Sequence, residues 1–408
     1  MGKFVPVEPA RQPACQHEND DVEGVVSVCI GQLVVLVAEF GHQRCGIDVA
    51  IDREQSRILR HRHPSAIQCL VSHTELYQNF PGSDPGSDLR PDPHSAIAVA
   101  ARRRRYNCQN DMEGYMRKPD DFTHHFAELD RLKMHYVREG DPDRLTLFLL
   151  HGWPEYWYTY HRNIGPLAEH FDVIAPDFRG FGQTDDPPGI PELSDFALDI
   201  LALADHLGIE RFGTVGHDIG AWMAQELGRR VPDRVVGLFF GSCTNAGVGA
   251  RWAEPDHHIE VWYQSFQRLP LAHELVGYNR DTVRLYFGHF LRHWSHDKEG
   301  READLEHFVD AYAAPGRVEA GFKWYKSWAE MRLRASREGP PKLPKITSPA
   351  RVFWGELDPP NKIEWRDNLV NYFENIDVHT VPEAAHFVHY DQPDLFNTEA
   401  IKFFQELA

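Results

Sequence analysis

The sequence predicts an α/β protein: a mostly parallel, doubly wound sheet with a helical lid inserted over its C-terminal strand edge. Three observations carry the prediction. Short apolar runs alternate with segments of helical period across most of residues 113–408, the pattern of parallel strands joined by covering helices. That alternation is interrupted between about 246 and 335 by a helical stretch crowded with Trp, Tyr, Phe and His. A glycine-flanked turn, Gly216-His217-Asp218-Ile219-Gly220, lies where a predicted strand gives way to a predicted helix.

The elements follow in chain order. FAELDRLKMHYVREG (126–140) alternates apolar and polar residues about Asp130-Arg131 and reads as a hairpin. LTLFLL (145–150) and DVIAPDF (172–178) are short continuous apolar runs, as expected of strands buried on both faces. In LSDFALDILALADHLGI (193–209), Phe196, Ile200, Leu203 and Leu207 recur at helical spacing, and Gly208 marks the stop. Strand RFGTVG, helix IGAWMAQELGRR, strand RVVGLFF (234–240), strand ARVFWG (350–355) and strand IDVHTV complete the series. An insertion after residue 240 roofs the carboxyl ends of the strands, where open α/β sheets bind ligands.

Residues 1–112 are expected to be a poorly ordered N-terminal extension of unknown role, with the catalytic domain confined to 113–408. NFPGSDPGSDLRPDPHS (79–95) and Arg102 to Arg105 have no helix or strand periodicity. The apolar run Val25 to Ala38 is too short for a bilayer span of about 20 residues, and Glu18, Asp20, Asp21 and Glu23 precede it where a signal peptide needs positive charge.

Composition narrows the partners. The 408 residues carry a formal charge of -18 with 42% hydrophobic residues, so a large core is affordable while nucleic acid and anionic membrane surfaces are repelled. Cys243 stands alone after Cys108, which suits a reducing compartment, and the expected location is cytoplasmic. The early cysteines lack C-x-x-C spacing, and His289, His293 and His296 lack the glutamate of H-E-x-x-H because position 290 is Phe. No metal and no cofactor are expected.

The turn around Asp218 has the G-x-S-x-G form of a nucleophile elbow with aspartate in the serine position. An Asp before a helix is also a favoured N-cap, but capping does not require glycines on both sides. His151-Gly152-Trp153-Pro154 leaves a neighbouring strand, so the main-chain N–H groups of Trp153 and Ile219 are the expected oxyanion hole. In VPEAAHFVHYD (381–391), His386 is taken as the base and His389 as solvated. GELDPPN (355–361) offers Glu356 and Asp358, and Asp358 fits the chain order nucleophile, acid, histidine. A carboxylate attacks saturated carbon and leaves an alkyl ester, so the substrate is expected to be an epoxide or an alkyl halide rather than a carbonyl compound.

Over about 117–408 the chain resembles the epoxide hydrolases of the α/β-hydrolase fold. The resemblance rests on HGWP, DFRGFGQTDDP (177–187), GHDIG, WYQSFQRLP (262–270) and FKWYKSW (322–328). It implies two lid tyrosines that hold and protonate the epoxide oxygen, matching Tyr263 and Tyr325, with Trp153, Trp262 and Trp324 lining the substrate site. Similar haloalkane dehalogenases carry Trp after the nucleophile and fluoroacetate dehalogenases carry Arg, whereas this chain has Ile219. Some relatives place the acid after the preceding strand, where this chain has Gly241-Ser242-Cys243. The expected function is hydrolysis of a small apolar epoxide by water to a vicinal diol. A hydrolytic dehalogenase and a non-catalytic binding protein on the same fold are the alternatives, and a homodimer is the expected assembly.

Overall fold

A computed structural model describes residues 117–408, together with the backbone of three short strands nearer the N-terminus. Those strands, β1 (Val25–Ile30), β2 (Leu33–Ala38) and β3 (Gly46–Asp48), form an antiparallel sheet in the order β1-β2-β3. They belong to a unit that ends at Pro91, separate from the unit that follows. The apolar run Val25 to Ala38 is thus a hairpin. The rest of the expected disordered extension, including the Pro/Gly/Ser-rich stretch and the arginine run, lies outside the described residues.

The second unit is built on eight strands in the order β11-β10-β9-β8-β6-β7-β5-β4. The hairpin β4 (His124–Glu128) and β5 (Lys133–Gly140) is antiparallel, and β5 pairs antiparallel with β7 (Asp172–Pro176). Every other pairing is parallel, through β6 (Thr146–Leu150), β8 (Phe212–His217), β9 (Val235–Gly241), β10 (Ala350–Gly355) and β11 (Ile376–Val381). Each residue of β6, β7 and β8 is buried, which is why these central strands read as unbroken apolar runs rather than alternating ones.

Strand β6 has β7 on one side and β8 on the other. The chain therefore reverses its direction of sheet growth at β6, and the crevice beyond the carboxyl ends of β6 and β8 is the topological switch point. Glycine lets the helix Ile219–Arg230 press into that crevice: a Cβ on Gly220 would lie 1.8 Å from the Leu150 carbonyl oxygen at the end of β6.

The insertion forms helices Trp262–Phe266, Pro270–Val276, Arg280–His293, Lys298–Ala313 and Arg317–Glu338. It is fastened to the sheet domain by polar contacts, among them Tyr312 O–H to the Glu155 carbonyl at 3.2 Å and Lys323 to Asp186 at 2.6 Å. Among the described residues, no helix is long and apolar enough to cross a membrane.

Candidate active site

Asp218 occupies the last position before the helix Ile219–Arg230, at φ 50 and ψ -116. A non-glycine residue with positive φ is uncommon and marks a backbone held by its surroundings. The surroundings here are close: a Cβ on Gly216 would stand 2.8 Å from the Gly220 carbonyl oxygen. Although Asp218 sits in the N-cap position, its side chain makes no capping bond. One carboxylate oxygen, Oδ1, instead accepts the Trp153 main-chain N–H at 3.0 Å. Ile219, whose N–H is the other expected donor, is the first residue of the helix. The loop reaches Asp218 only because position 152 is glycine, where a Cβ would stand 2.5 Å from the Asp218 Cβ.

The other oxygen, Oδ2, faces His386 Nε2 at 3.6 Å. His386 is 1% exposed, and its Nδ1 lies 3.2 Å from both oxygens of Asp358. Asp358 is oriented by the Asn361 main-chain N–H at 2.9 Å, while the Asn361 amide donates to the Ser242 carbonyl at 2.9 Å. Glu356, the neighbour that offered the same chemistry, is exposed. Asp218, His386 and Asp358 thus form one chain of contacts from three strand ends.

The electrostatics follow from burial and this pairing. Burial would push the His386 imidazole down, yet the carboxylates of Asp358 and Asp218 lift it to about 10. Burial would likewise raise Asp218, but His386 and the Trp153 N–H hold it below the usual carboxylate value. The resting pair is therefore carboxylate beside imidazolium. A carboxylate with one oxygen held by an N–H and the other in charge contact but not directly hydrogen-bonded can attack carbon and then carry an oxyanion on the held oxygen.

Tyr263 and Tyr325 roof the carboxylate. Both are 3% exposed and line a narrow cavity together with Asp218. Tyr263 stacks on the Trp153 ring, with centroids 4.9 Å apart and planes 3° apart, and meets Tyr325 edge-on at 5.3 Å. Burial raises both hydroxyls above their usual value, and the Asp218 charge adds to the effect, so both remain neutral donors. Ile219, Trp222, Trp252, Trp324 and Trp328 complete the apolar wall.

Three expectations differ from what is found. The Trp153 ring is fully buried, stacked on Tyr263, and does not line the cavity. Trp262 is 43% exposed and packs on the outside of the insertion against Phe290, away from the cavity lining. His389, expected in solvent, is fully buried because its neighbours Phe387 and Val388 carry the segment into the core. Its Nε2 lies 2.9 Å from Thr159 Oγ1 and 3.7 Å from Glu155 Oε1.

Sequence reasoning missed Glu155 altogether. This fully buried carboxylate accepts the Gly152 N–H at 3.0 Å and pairs with His217 Nδ1 at 2.9 Å, while His217 Nε2 reaches the His386 carbonyl at 2.9 Å. It braces both the loop that carries Trp153 and the loop that carries His386. The available signal was a lone charge within the apolar, aromatic run GWPEYWY. Glu155, His217 and His389 have ligand atoms within 4.8 Å of one another, as a metal site would. Both His217 nitrogens are already engaged by protein acceptors, so the cluster fits a hydrogen-bonded brace better than a donor set awaiting an ion. The expected non-metal histidines of the insertion are surface groups: His293 pairs with Glu260 at 2.9 Å and stacks on His289.

A doubly wound sheet with an aspartate at the strand-to-helix turn, a histidine and acid from the last two strand ends, and a helical insertion above them define a hydrolase architecture. Residues 146–393 match the alpha/beta hydrolase fold family, more than half of the chain, and the protein belongs to that family. The soluble epoxide hydrolase of Corynebacterium sp. is 29% identical over 70% of this chain and 99% of its own length. Human epoxide hydrolase 4 is 26% identical over 78% of this chain and 87% of its own. Among solved structures, an epoxide hydrolase without ligand superposes with a TM-score of 0.62 at 29% identity, covering 70% of this chain and all of that one (100%).

Proposed function

We propose that the protein hydrolyses an epoxide to a vicinal diol through a covalent ester on Asp218. The observation that carries this reading is the pair Tyr263 and Tyr325, neutral donors that share the cavity with the Asp218 carboxylate. An epoxide oxygen leaves as an alkoxide and needs a donor, whereas a halide leaves without a proton. The relatives named epoxide hydrolase support the same reaction.

Asp218 Oδ2 attacks the less hindered ring carbon, the carbon–oxygen bond breaks, and the oxygen takes a proton from the tyrosine pair. The His386 imidazolium restores that proton and becomes a neutral base. It does so because esterification removes the Asp218 charge, one of the two that held its proton. Water then gives a proton to His386 as its oxygen bonds to Asp218 Cγ, and the charge gathers on Oδ1 beside the Trp153 N–H. Collapse breaks the Cγ–Oδ2 bond, releases the diol with a proton from His386, and leaves an acid on Asp218 that reprotonates the imidazole. Protons and atoms balance with side chains and water alone.

The aromatic part of the cavity wall, Trp222, Trp252, Trp324 and Trp328, favours a small epoxide with an apolar substituent. A homodimer and a cytoplasmic location complete the proposal; the buried, unpaired Cys243 is compatible with the latter. Incubation with styrene oxide and with 1-bromobutane tests the chemistry. Diol formation is expected; bromide release without diol would place the protein among dehalogenases, and turnover of neither would favour a binding role.

A further inference from the structure

The inference concerns the second half-reaction and rests on the reading of Asp218 as the esterified residue. Ester hydrolysis needs a water beside both Asp218 Cγ and the base, and a buried water stays only where several polar atoms hold it. Trp294 offers such an atom. Its indole is 1% exposed, and Nε1 is buried with no hydrogen-bond partner among the described residues. Buried donors are rarely left in that condition.

The position of the indole is specific. Its ring lies 5.2 Å from the His386 ring, 6.0 Å from that of Trp153 and 5.3 Å from that of Tyr263. The Trp294 carbonyl accepts the His386 main-chain N–H at 2.9 Å, which fixes the two residues together. His386 Nε2 and Trp153 Nε1 are also buried without a partner among the described residues. Neither Trp294 nor His386 lines the cavity shared by Asp218 and the tyrosines. The unpaired nitrogens therefore belong to His386 and to rings packed in series beside it, Trp294 on His386 and Trp153 on Trp294, none of which lines that cavity.

We propose that Trp294 is a catalytic residue whose indole N–H holds the hydrolytic water between itself, His386 Nε2 and Asp218. An indole donates but has no lone pair to accept a proton. It therefore occupies one lone pair of the water and leaves the other to form the bond to Cγ, while one water proton passes to His386. The tyrosines serve ring opening and the indole serves ester hydrolysis.

Rapid-quench kinetics of Trp294→Phe with styrene oxide test the assignment, since phenylalanine keeps an aromatic ring at the position and removes the N–H donor. The expected result is an ester burst of wild-type stoichiometry, which also certifies the fold, followed by ester decay about tenfold slower or more. A crystal structure of the wild-type protein is expected to hold a water within hydrogen-bond distance of both Trp294 Nε1 and His386 Nε2. An active wild type whose W294F variant clears the ester at the wild-type rate, or an indole N–H satisfied without water, overturns the water site alone. A wild type that forms no ester and opens no epoxide overturns the function proposed above.

Discussion

His386 Nε2 stands 3.6 Å from Asp218 Oδ2, too far for a direct hydrogen bond and close enough for strong charge pairing. The same imidazole is held on its far side by Asp358 at 3.2 Å. One cation thus lies between two carboxylates, and the chemistry proposed here depends on removing one of those charges at mid-reaction.

The pairing has a consequence for stability. The folded His386 is raised to about 10 from its ordinary 6.5, so its protonation stabilises the fold fully below about 6.5. That contribution is lost as pH rises through about 10. The melting temperature of the wild type is expected to fall between pH 7 and 10 more steeply than that of His386→Gln. Parallel curves for the two proteins would refute a raised His386.

Tyr263→Phe and Tyr325→Phe are each expected to lower kcat/KM for an epoxide by about 10²-fold, the scale of a lost proton donor. Removing both should cost more than either. The melting temperature should change little, because the ring packing of Tyr263 on Trp153 survives the substitution. Single variants with wild-type kcat/KM would remove the tyrosines from the reaction.

Gly220→Ala is expected to destabilise the protein by about 3 kcal/mol or more, the upper range for overpacking. The new Cβ would meet the Leu150 carbonyl oxygen, a backbone atom, at 1.8 Å. Gly165→Ala is the control, since a Cβ there meets nothing within 4 Å. Equal urea midpoints for the two variants would contradict the close approach of helix and strand on which the Asp218 turn depends.

The sheet was legible because strands buried on both faces leave unbroken apolar runs, as in TLFLL and DVIAP. Asp218 was legible because the flanking glycines have no other use in a simple cap. Glu155 was not, since its partner His217 lies 62 residues away and a buried carboxylate looks in sequence like any surface one. His389 misled for a related reason: histidine is common on surfaces, and only the fold carries this one beneath the site. Trp262 and Trp294 were equivalent aromatic residues of one insertion, and packing alone separates the half-exposed ring from the one against His386.

Single-turnover chemistry in H₂¹⁸O offers an independent check on the order of bonds. The first diol released should carry the Asp218 oxygen, and the label should appear in Asp218. Label entering the diol in the first turnover would mean direct attack by water.

The most direct test is to trap the ester. His386→Ala protein treated with an epoxide is expected to gain the mass of one substrate molecule, and peptide mass spectrometry should place it on Asp218. A protein that stays unmodified, or carries the adduct on another residue, would contradict nucleophilic catalysis by Asp218.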